Sequence, residues 1–168
     1  MIKIYKTTKD DIDDLMRVRL ETLRAVNEMN DDAQFSDTLV NCARDYFLNG
    51  DQTTVFAEDS EASEKSSNNA SGKSKGKIIG CASMSYITIM PTYEHPTGKR
   101  AFLMNVYVNK NYRRQGIAQK MIKILIEEAK ERGCSEISLD ATQAGRPVYK
   151  TLGFCDNDEA MILNLAQN

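Results

Sequence analysis

Hydrophobic patterns divide the beginning of the chain into a strand and two helices. Residues 2–6, IKIYK, alternate apolar and polar side chains, as a half-buried β-strand does. From Thr8 onwards the period is helical, and Thr8 with Asp11 three residues later favours a helix start. The apolar face of this helix comprises Ile12, Leu15, Val18 or Arg19, Thr22, Leu23 and Val26. A second helix is predicted over residues 36–48, with Leu39, Cys42, Ala43, Tyr46 and Phe47 facing inward.

The middle of the chain predicts two strands separated by a polar stretch. Residues 53–58, TTVFAE, and residues 77–89, KIIGCASMSYITI, have the composition of strands. Between them, residues 58–77 contain six serines, eight charged residues and no large apolar side chain. Such a segment cannot bury enough surface to offset the entropy lost on ordering it. We therefore expect a long, mobile hairpin loop at 58–77.

A β-α-β unit is predicted over residues 100–141. Residues 100–109, RAFLMNVYVN, are apolar almost throughout, which is typical of a central strand covered on both faces. A helix follows over 114–132 and a strand over 135–141, so the two strands should be parallel. The helix is expected to bury Ile117, Met121, Ile124, Leu125 and Ala129. Beyond this unit, residues 145–152 predict a short helix and residues 154–165 a closing hairpin.

Composition limits the classes of function. The chain has 168 residues, enough for one domain with a hydrophobic core, and a net charge of −2. It therefore has no overall basic field to attract nucleic acid or an anionic membrane surface. No apolar run is long enough to span a bilayer, and the N-terminus, MIKIYKTTKDD, does not resemble a signal peptide. We expect a soluble, cytoplasmic protein with neither nucleic acid nor membrane as a partner.

The cysteines do not indicate a metal site. Cys42, Cys81, Cys134 and Cys155 form no C-x-x-C pair, and no histidine lies at ligand spacing from them. We expect reduced thiols, most of them buried, and no bound metal.

The junction between the strand at 100–109 and the helix after it carries the clearest chemical signal. Arg113, Arg114, Gln115 and Gly116 occupy it. A helix N-terminus presents unpaired N–H groups and partial positive charge, glycine allows close approach of a ligand, and arginine suits phosphate oxygens. These residues thus predict a phosphate or pyrophosphate site. An ordinary helix start with solvated arginines would have the same sequence features. The spacing fits neither a Walker A loop nor a Rossmann G-x-G-x-x-G fingerprint.

Two motifs resemble the GNAT superfamily of N-acetyltransferases. RRQGIA at 113–118 is similar to its [R/Q]-x-x-G-x-[G/A] loop, and VYKTLGF at 148–154 is similar to its LYxxxGF signature. The order of predicted elements also resembles this family from end to end. The resemblance implies an α/β (α+β) fold with a mixed, mostly antiparallel central sheet, one parallel β-α-β unit and about four flanking helices. It also implies a single N-acetyltransferase domain over 1–168.

The same resemblance implies roles for particular residues. The pyrophosphate of acetyl-CoA, as co-substrate, would be held by the loop amides of Arg113, Arg114, Gln115, Gly116, Ile117 and Ala118, with Gln119 next. The pantetheine arm would bond to the backbone of Val106, Tyr107 and Val108. Tyr149 would be the general acid that protonates the departing thiolate, since a phenol with a pKa of about 10 stays protonated at neutral pH. The acceptor would be a primary amine of a small molecule or a peptide, attacking directly.

Several positions keep other interpretations open. Thr142 stands where many relatives have an asparagine, and Asn105 stands where some have a glutamate base. Glu94 and His95 are candidate bases, but none is assigned. An acidic group, Glu28, Asp31, Asp32 and Asp37, could attract a cationic amine or be a solvated turn. The alternatives are a catalytically silent acyl-CoA-binding regulatory domain and a nucleotide-binding protein that shares only the anion site. The sequence allows a homodimer.

Overall fold

One mixed sheet organises the fold. The computed structural model describes residues 1–63 and 76–165. Its strands lie in the order β1-β2-β3-β4-β5. They are β1 (Ile2–Lys6), β2 (Gln52–Ser63), β3 (Gly76–Thr88), β4 (Lys99–Val108) and β5 (Glu136–Ser138). Neighbours from β1 to β4 are antiparallel, and β5 is parallel to β4. The expected mixed, mostly antiparallel sheet with one β-α-β unit is confirmed.

Four α-helices flank the sheet. They are α1 (Ile12–Val26), α2 (Asp37–Asn49), α3 (Ile117–Glu131) and α4 (Arg146–Thr151). Short 3₁₀ turns at Lys9–Asp11 and Lys110–Tyr112 precede α1 and α3. Thr8 accepts a hydrogen bond from the Asp10 amide, and Asp11 accepts one from the Thr8 amide, so the predicted helix start is confirmed as a capping box.

The core has two parts on opposite faces of the sheet. Val55 and Ala57 of β2 pack in the cluster that contains α3, whereas Phe56 between them packs with α1 and α2. Because successive side chains of a strand point to opposite faces, α1 and α2 cover one face and α3 covers the other. Thr54 and Ser83, both buried on the α1 face, bond to each other at 2.8 Å.

Some predicted inward positions are wrong by one or two residues. Val26, the last residue of α1, is 59% exposed, since a helical period does not show where the covering surface ends. In α2, Cys42 was predicted to face inward but is exposed, and Val40 packs against the core. In α3, Ile124 was predicted to be buried but is only partly so, whereas its neighbour Ile122 is fully buried. Neighbouring faces of these helices both carry apolar residues, so the sequence pattern alone could not show which face packs against the sheet.

The expectation of mostly buried thiols is also wrong. All four cysteines are free, but only Cys81 is buried, while Cys42 and Cys155 are exposed and Cys134 is intermediate. Cys42 lies on the solvent-facing side of α2, and Cys155 lies in the segment after α4. Single small apolar side chains are tolerated at such exposed positions.

The predicted loop at 58–77 has the wrong boundaries. β2 continues to Ser63 and β3 begins at Gly76, with Glu58 opposite Ile78 and Asp59 opposite Lys77. Polar partners stabilise this polar end of the hairpin, because Asp59 accepts a hydrogen bond from Tyr112 at 3.0 Å and Glu58 accepts one from the Gly76 amide at 2.9 Å. Residues 64–75, to which the rest of the loop prediction applies, lie outside the described residues.

The predicted closing hairpin is absent from residues 154–165, which form no strand in the structure. Met161, Ile162, Leu163 and Leu165 are 81–97% exposed. The edge strand β5 also extends only over Glu136–Ser138, not 135–141. Alternating residues form a strand only where an edge of sufficient length is available for pairing, and three residues provide little.

A largely buried carboxylate, that of Glu128, links α3 to β1 and β2. Glu128 of α3 accepts a hydrogen bond from Thr53 at 2.5 Å and pairs with Lys6 at 2.6 Å and with Arg132 at 3.0 Å. The Arg132 guanidinium also lies 3.8 Å from the centroid of the Tyr86 ring. Burial acts to raise the pKa of Glu128, but the bonds from Lys6 and Thr53 outweigh it and the pKa lies below its ordinary value.

We expect Glu128→Gln to lower the free energy of unfolding by about 1–2 kcal/mol at neutral pH, because Lys6 and Arg132 lose their charged partner. Glu127→Gln is the matched control, since the Glu127 side chain is 66% exposed and its ion-pair partner among the described residues is Lys130. Because the native pKa of Glu128 is the lower one, its contribution is present above the unfolded value, about 4.3, and is lost as the pH falls through the native value. Urea denaturation of both variants across this pH range checks the prediction; equal losses in the two variants would contradict it.

Candidate active site

The parallel strands β4 and β5 pair over a short distance and then separate. Their ladder joins Arg100 to Glu136 and ends at Phe102 with Ser138. From Leu103 to Val108, β4 has β3 on one side and, within the described residues, no strand on the other. Backbone groups that point to the open side therefore lack a ladder partner. An extended ligand could pair with this edge, at which the predicted residues Val106, Tyr107 and Val108 lie.

A β-bulge at Asn105 bends the open part of β4. Asn105 has φ +56°, and the β3–β4 register shifts between Cys81 and Ser83. The side-chain oxygen of Asn105 accepts a hydrogen bond from Arg19 at 2.9 Å, and its amide donates to Ser83 at 3.3 Å. The Cys81 thiol donates to the Asn105 carbonyl at 3.3 Å. These three partners hold a left-handed conformation that costs about 1 kcal/mol without them.

The predicted anion loop is a run of amides without acceptors. Within the described residues, no backbone or side-chain group accepts from any amide between Arg113 and Gln119. The first such bond of α3 runs from Lys120 to the Gly116 carbonyl at 3.0 Å. Arg114 and Gly116 have φ of +62° and +73°, and alternation of left-handed residues with others turns successive N–H groups towards one concave side. The loop therefore offers several donors and positive charge to an anion.

Side chains fix this loop to its neighbours. Arg113 donates from Nε to the Val108 carbonyl at 3.0 Å, which holds the loop against the end of β4. Ile117 places its side chain in the core, 3% exposed, so only its amide can face a ligand. Gln119 donates to Thr151 at 2.9 Å and thereby ties the start of α3 to α4.

The space in front of Gly116 is open. A Cβ added at this position would meet only the Gln119 side-chain oxygen, at 3.7 Å. Since φ is +73°, glycine is the residue that adopts this conformation without strain. A ligand can therefore approach the backbone at Gly116 closely.

Tyr149 lies in α4, beside the start of α3. Its ring packs edge-on against Phe154, with centroids 5.9 Å apart, and against the core below α3. Burial raises the pKa of the Tyr149 hydroxyl above its ordinary value. In the part of the chain that the structure describes, that hydroxyl has no hydrogen-bond partner. A protonated hydroxyl without a partner remains able to donate to a bound molecule.

Other candidate residues lie elsewhere or serve the fold. The Thr142 hydroxyl accepts from the Gly145 amide at 3.1 Å and so shapes the turn before α4. His95 bonds to Ser135 at 2.8 Å and lies at the Lys99 end of β4. Because Asn105 is six residues further along the strand, His95 is roughly 20 Å from the bulge. The acidic group of Glu28, Asp31, Asp32 and Asp37 is exposed to solvent.

Sequence reasoning missed a polar cluster on the α1 face of the bulge. There, Arg19 donates a hydrogen bond to the Asn105 side chain, which in turn donates one to Ser83. The Tyr46 and Ser85 hydroxyls bond to each other at 2.6 Å. Burial lowers the pKa of Arg19 from its ordinary value. The signal was present in the sequence, since an arginine shares the apolar face of α1, but the period left Val18 and Arg19 as alternatives. We call Arg19, Tyr46, Ser83, Ser85 and Asn105 the polar cluster.

The described residues contain no group of three or more side chains arranged to bind a metal ion. Nor does any helix within them combine the length and hydropathy needed to cross a membrane.

Comparison with known proteins identifies sequences similar to this chain. Residues 33–154 match the acetyltransferase (GNAT) family. A thialysine N-epsilon-acetyltransferase of Sus scrofa is 36% identical over 88 residues, which are 51% of this chain and 52% of that protein. A glucosamine 6-phosphate N-acetyltransferase of Trypanosoma brucei brucei is 30% identical over 90 residues, 54% of this chain and 59% of that protein. The chain thus spans about half the length of the curated relatives it matches.

Solved structures match over almost the whole chain. A predicted acetyltransferase from Clostridium acetobutylicum, crystallised with acetyl-CoA, has a TM-score of 0.77 and 32% identity, covering 98% of this chain and 97% of its own. An acetyltransferase of Trypanosoma brucei has a TM-score of 0.66 at 20% identity, with 98% and 100% covered, which shows likeness of fold alone.

Proposed function

Because this chain belongs to the acetyltransferase (GNAT) family, we propose that it transfers the acetyl group of acetyl-CoA to a primary amine. The observation that carries the proposal is the run of acceptor-free amides from Arg113 to Gln119, directly after the open edge of β4. A pyrophosphate fits such a loop because it supplies oxygen acceptors and negative charge together. The open space before Gly116 allows it to approach the backbone.

The pantetheine arm would lie along the open edge of β4. Val106 and Val108 direct their side chains to the α3 side of the core, and Tyr107 packs on the α1 side. All three side chains are therefore used in packing, so the backbone alone would bind the arm. An arm that begins at the loop and follows this edge runs back along β4 towards Asn105, so the reacting end would lie near the bulge.

Acetyl-CoA supplies the acetyl group as a thioester. The role of Tyr149 would be to donate its hydroxyl proton to the sulfur as the amine attacks and the C–S bond breaks. Thiolates of this kind have a pKa of about 8.5, so a phenol that is still protonated at neutral pH can deliver the proton as charge develops. The Tyr149 hydroxyl, which has no partner among the described residues, supports this role, and its raised pKa keeps it protonated at neutral pH while making it a weaker acid.

The names of the relatives support a small amine as the acceptor. One acts on the N-epsilon group of thialysine and another on glucosamine 6-phosphate, by their names. A peptide amine is the other acceptor class to test. Release of free thiol from acetyl-CoA with a panel of amino acids, amino sugars, polyamines and peptides tests the proposed reaction.

A second candidate is a catalytically silent acyl-CoA-binding domain. One observation favours it: the described partners of Asn105 are Arg19, Ser83 and Cys81, and none is a carboxylate or imidazole that could accept the amine proton. Binding of acetyl-CoA without thiol release in the amine panel would favour this candidate over the enzyme.

Substitution at Gly116 tests the anion loop. We expect Gly116→Ala to weaken binding of coenzyme A by roughly tenfold or more, as if a charge-assisted hydrogen bond were lost, because a Cβ would occupy the approach to the amides. Gly133→Ala is the matched control. Gly133 ends the same helix at φ +75°, with nothing within 4 Å of an added Cβ. Both variants should lose about 1 kcal/mol of stability from the left-handed conformation, but only the first should lose binding. Calorimetry giving equal affinities for the two would place the pyrophosphate elsewhere.

Substitution at Tyr149 tests proton donation. Tyr149→Phe keeps the ring and its packing on Phe154, so the fold should persist. We expect kcat to fall by about 100-fold, with the KM for acetyl-CoA changing by less than roughly threefold, because the proton is needed in the transition state. Tyr5→Phe, on β1, is the control and should leave kcat unchanged. Steady-state kinetics with an acyl donor of a more acidic thiol should show a smaller loss. A wild-type rate in Tyr149→Phe, with chemistry rate-limiting, would make Tyr149 a packing residue.

A further inference from the structure

Arg19 is a half-buried guanidinium whose only described partner is neutral. It projects from the buried face of α1, one turn beyond Leu15, and donates from one Nη to the side-chain oxygen of Asn105 at 2.9 Å. No carboxylate of the described residues lies within 4.0 Å of it, and no described group accepts from its Nε or its other Nη. Most of its donors therefore have no partner among the described residues.

Three other arginines, unlike Arg24, have a carboxylate partner of the kind that Arg19 lacks among the described residues. Arg17, two residues away on α1, pairs with Asp14 at 3.1 Å and with Glu21 at 3.3 Å. Arg100 pairs with Glu136 at 3.1 Å, and Arg132 pairs with Asp51 at 2.7 Å. Each of these cations has a carboxylate although each is at least a quarter exposed.

Partial burial of a charge without a counter-ion is unfavourable. Burial removes part of the water around Arg19 and lowers its pKa. In place of that water, Arg19 donates a single hydrogen bond to the side-chain oxygen of Asn105, which is neutral. A carboxylate or phosphate would supply both the opposite charge and two oxygens in the geometry of the guanidinium fork. Arg19 would therefore be stabilised by an anion, which the described residues do not supply.

The location of Arg19 relates this anion to the acceptor. Its partner Asn105 forms the bulge of β4, one residue before the edge proposed to hold the pantetheine arm. The guanidinium lies on the α1 side of the sheet, whereas the amide loop begins α3 on the other side. A molecule that enters between α1, α2 and the bulge would meet Arg19 beside the reacting end. The cofactor phosphates, bound at the amide loop beyond Val108, would not occupy this position.

We propose that Arg19 binds an anionic group of the acceptor, so that the substrate is an amine that also carries a carboxylate or a phosphate. This inference rests on the proposed acetyltransferase function and specifies its substrate class. The hydroxyls of Tyr46 and Ser85 in the polar cluster bond to each other at 2.6 Å, so at most one of their two protons would be available to the anion. Polyamines, which carry only positive groups, would be repelled by the same guanidinium.

Matched pairs of acceptors test the inference without any variant. Lysine is compared with 1,5-diaminopentane, which lacks the carboxylate, and O-phosphoethanolamine with ethanolamine, which lacks the phosphate. Thiol release from acetyl-CoA gives kcat/KM for each. We expect the wild-type protein to prefer the anionic member of at least one pair by roughly tenfold or more, and the preferred pair identifies the anion as carboxylate or phosphate.

Variants then assign the preference to Arg19. Arg19→Gln should lower kcat/KM for the preferred anionic acceptor by roughly 10- to 100-fold, through KM more than kcat, and change kcat/KM for the partner that lacks the anion by less than about threefold. Arg19→Lys, which keeps the charge but not the fork, should lose less. Arg17→Gln is the control from the same helix and should change neither acceptor. Affinity for coenzyme A, measured for each variant, reports whether the bulge and the cofactor site remain intact.

The outcomes separate the two proposals. If the wild-type protein acetylates both members of each pair equally, or if Arg19→Gln slows both members alike, Arg19 only positions Asn105 and the inference is wrong while the acetyltransferase stands. If coenzyme A binds but no amine releases thiol, the enzymatic function itself is wrong, and the inference with it. Loss of the anion preference in Arg19→Gln with coenzyme A affinity unchanged supports the inference.

Discussion

β4 and β5 run side by side for three residue pairs and then separate, and the candidate site depends on this separation. A sheet interior normally satisfies every backbone donor and acceptor, so an open edge beside a central strand leaves polar groups that need another partner. The bulge at Asn105 bends β4 where the separation has begun, and three side-chain partners from α1 and β3 hold that bend. The unpaired edge is therefore a stable feature of the folded chain and can accept an extended ligand.

The two faces of the sheet contribute different parts of the site. On the α3 face, the chain leaves β4, turns through two left-handed residues and begins a helix, which leaves a run of free amides at the end of the open edge. On the α1 face, the polar cluster surrounds the bulge with hydroxyls, an amide and one guanidinium. Binding of an anionic cofactor and selection of an acceptor can thus occur on opposite sides of one strand.

The position of α4 depends on packing rather than on its own length. Its six residues are too few to be stable as an isolated helix. The Gln119–Thr151 hydrogen bond, the Tyr149–Phe154 ring contact and the packing of Val148 and Leu152 on the core hold it beside the start of α3. Tyr149, the proposed proton donor, therefore has a ring held in place by packing and a hydroxyl without a partner among the described residues.

The sequence by itself predicted most of the elements and a candidate anion loop at the start of α3. Periodicity defines an element from neighbours along the chain, and Arg113, Arg114 and Gly116 mark the loop through local chemistry, so β1, the four helices and the β4-α3-β5 unit were all predictable. Tertiary structure alone decided the length of β2 and β5, the absence of a closing hairpin and the burial of Ile122 in preference to Ile124, because each depends on which surface is available for pairing or cover. It also decided the setting of Arg19. Its partner Asn105 is 86 residues away along the chain. Only the fold, which brings α1 onto the bulge, shows that this half-buried guanidinium has no carboxylate partner among the described residues.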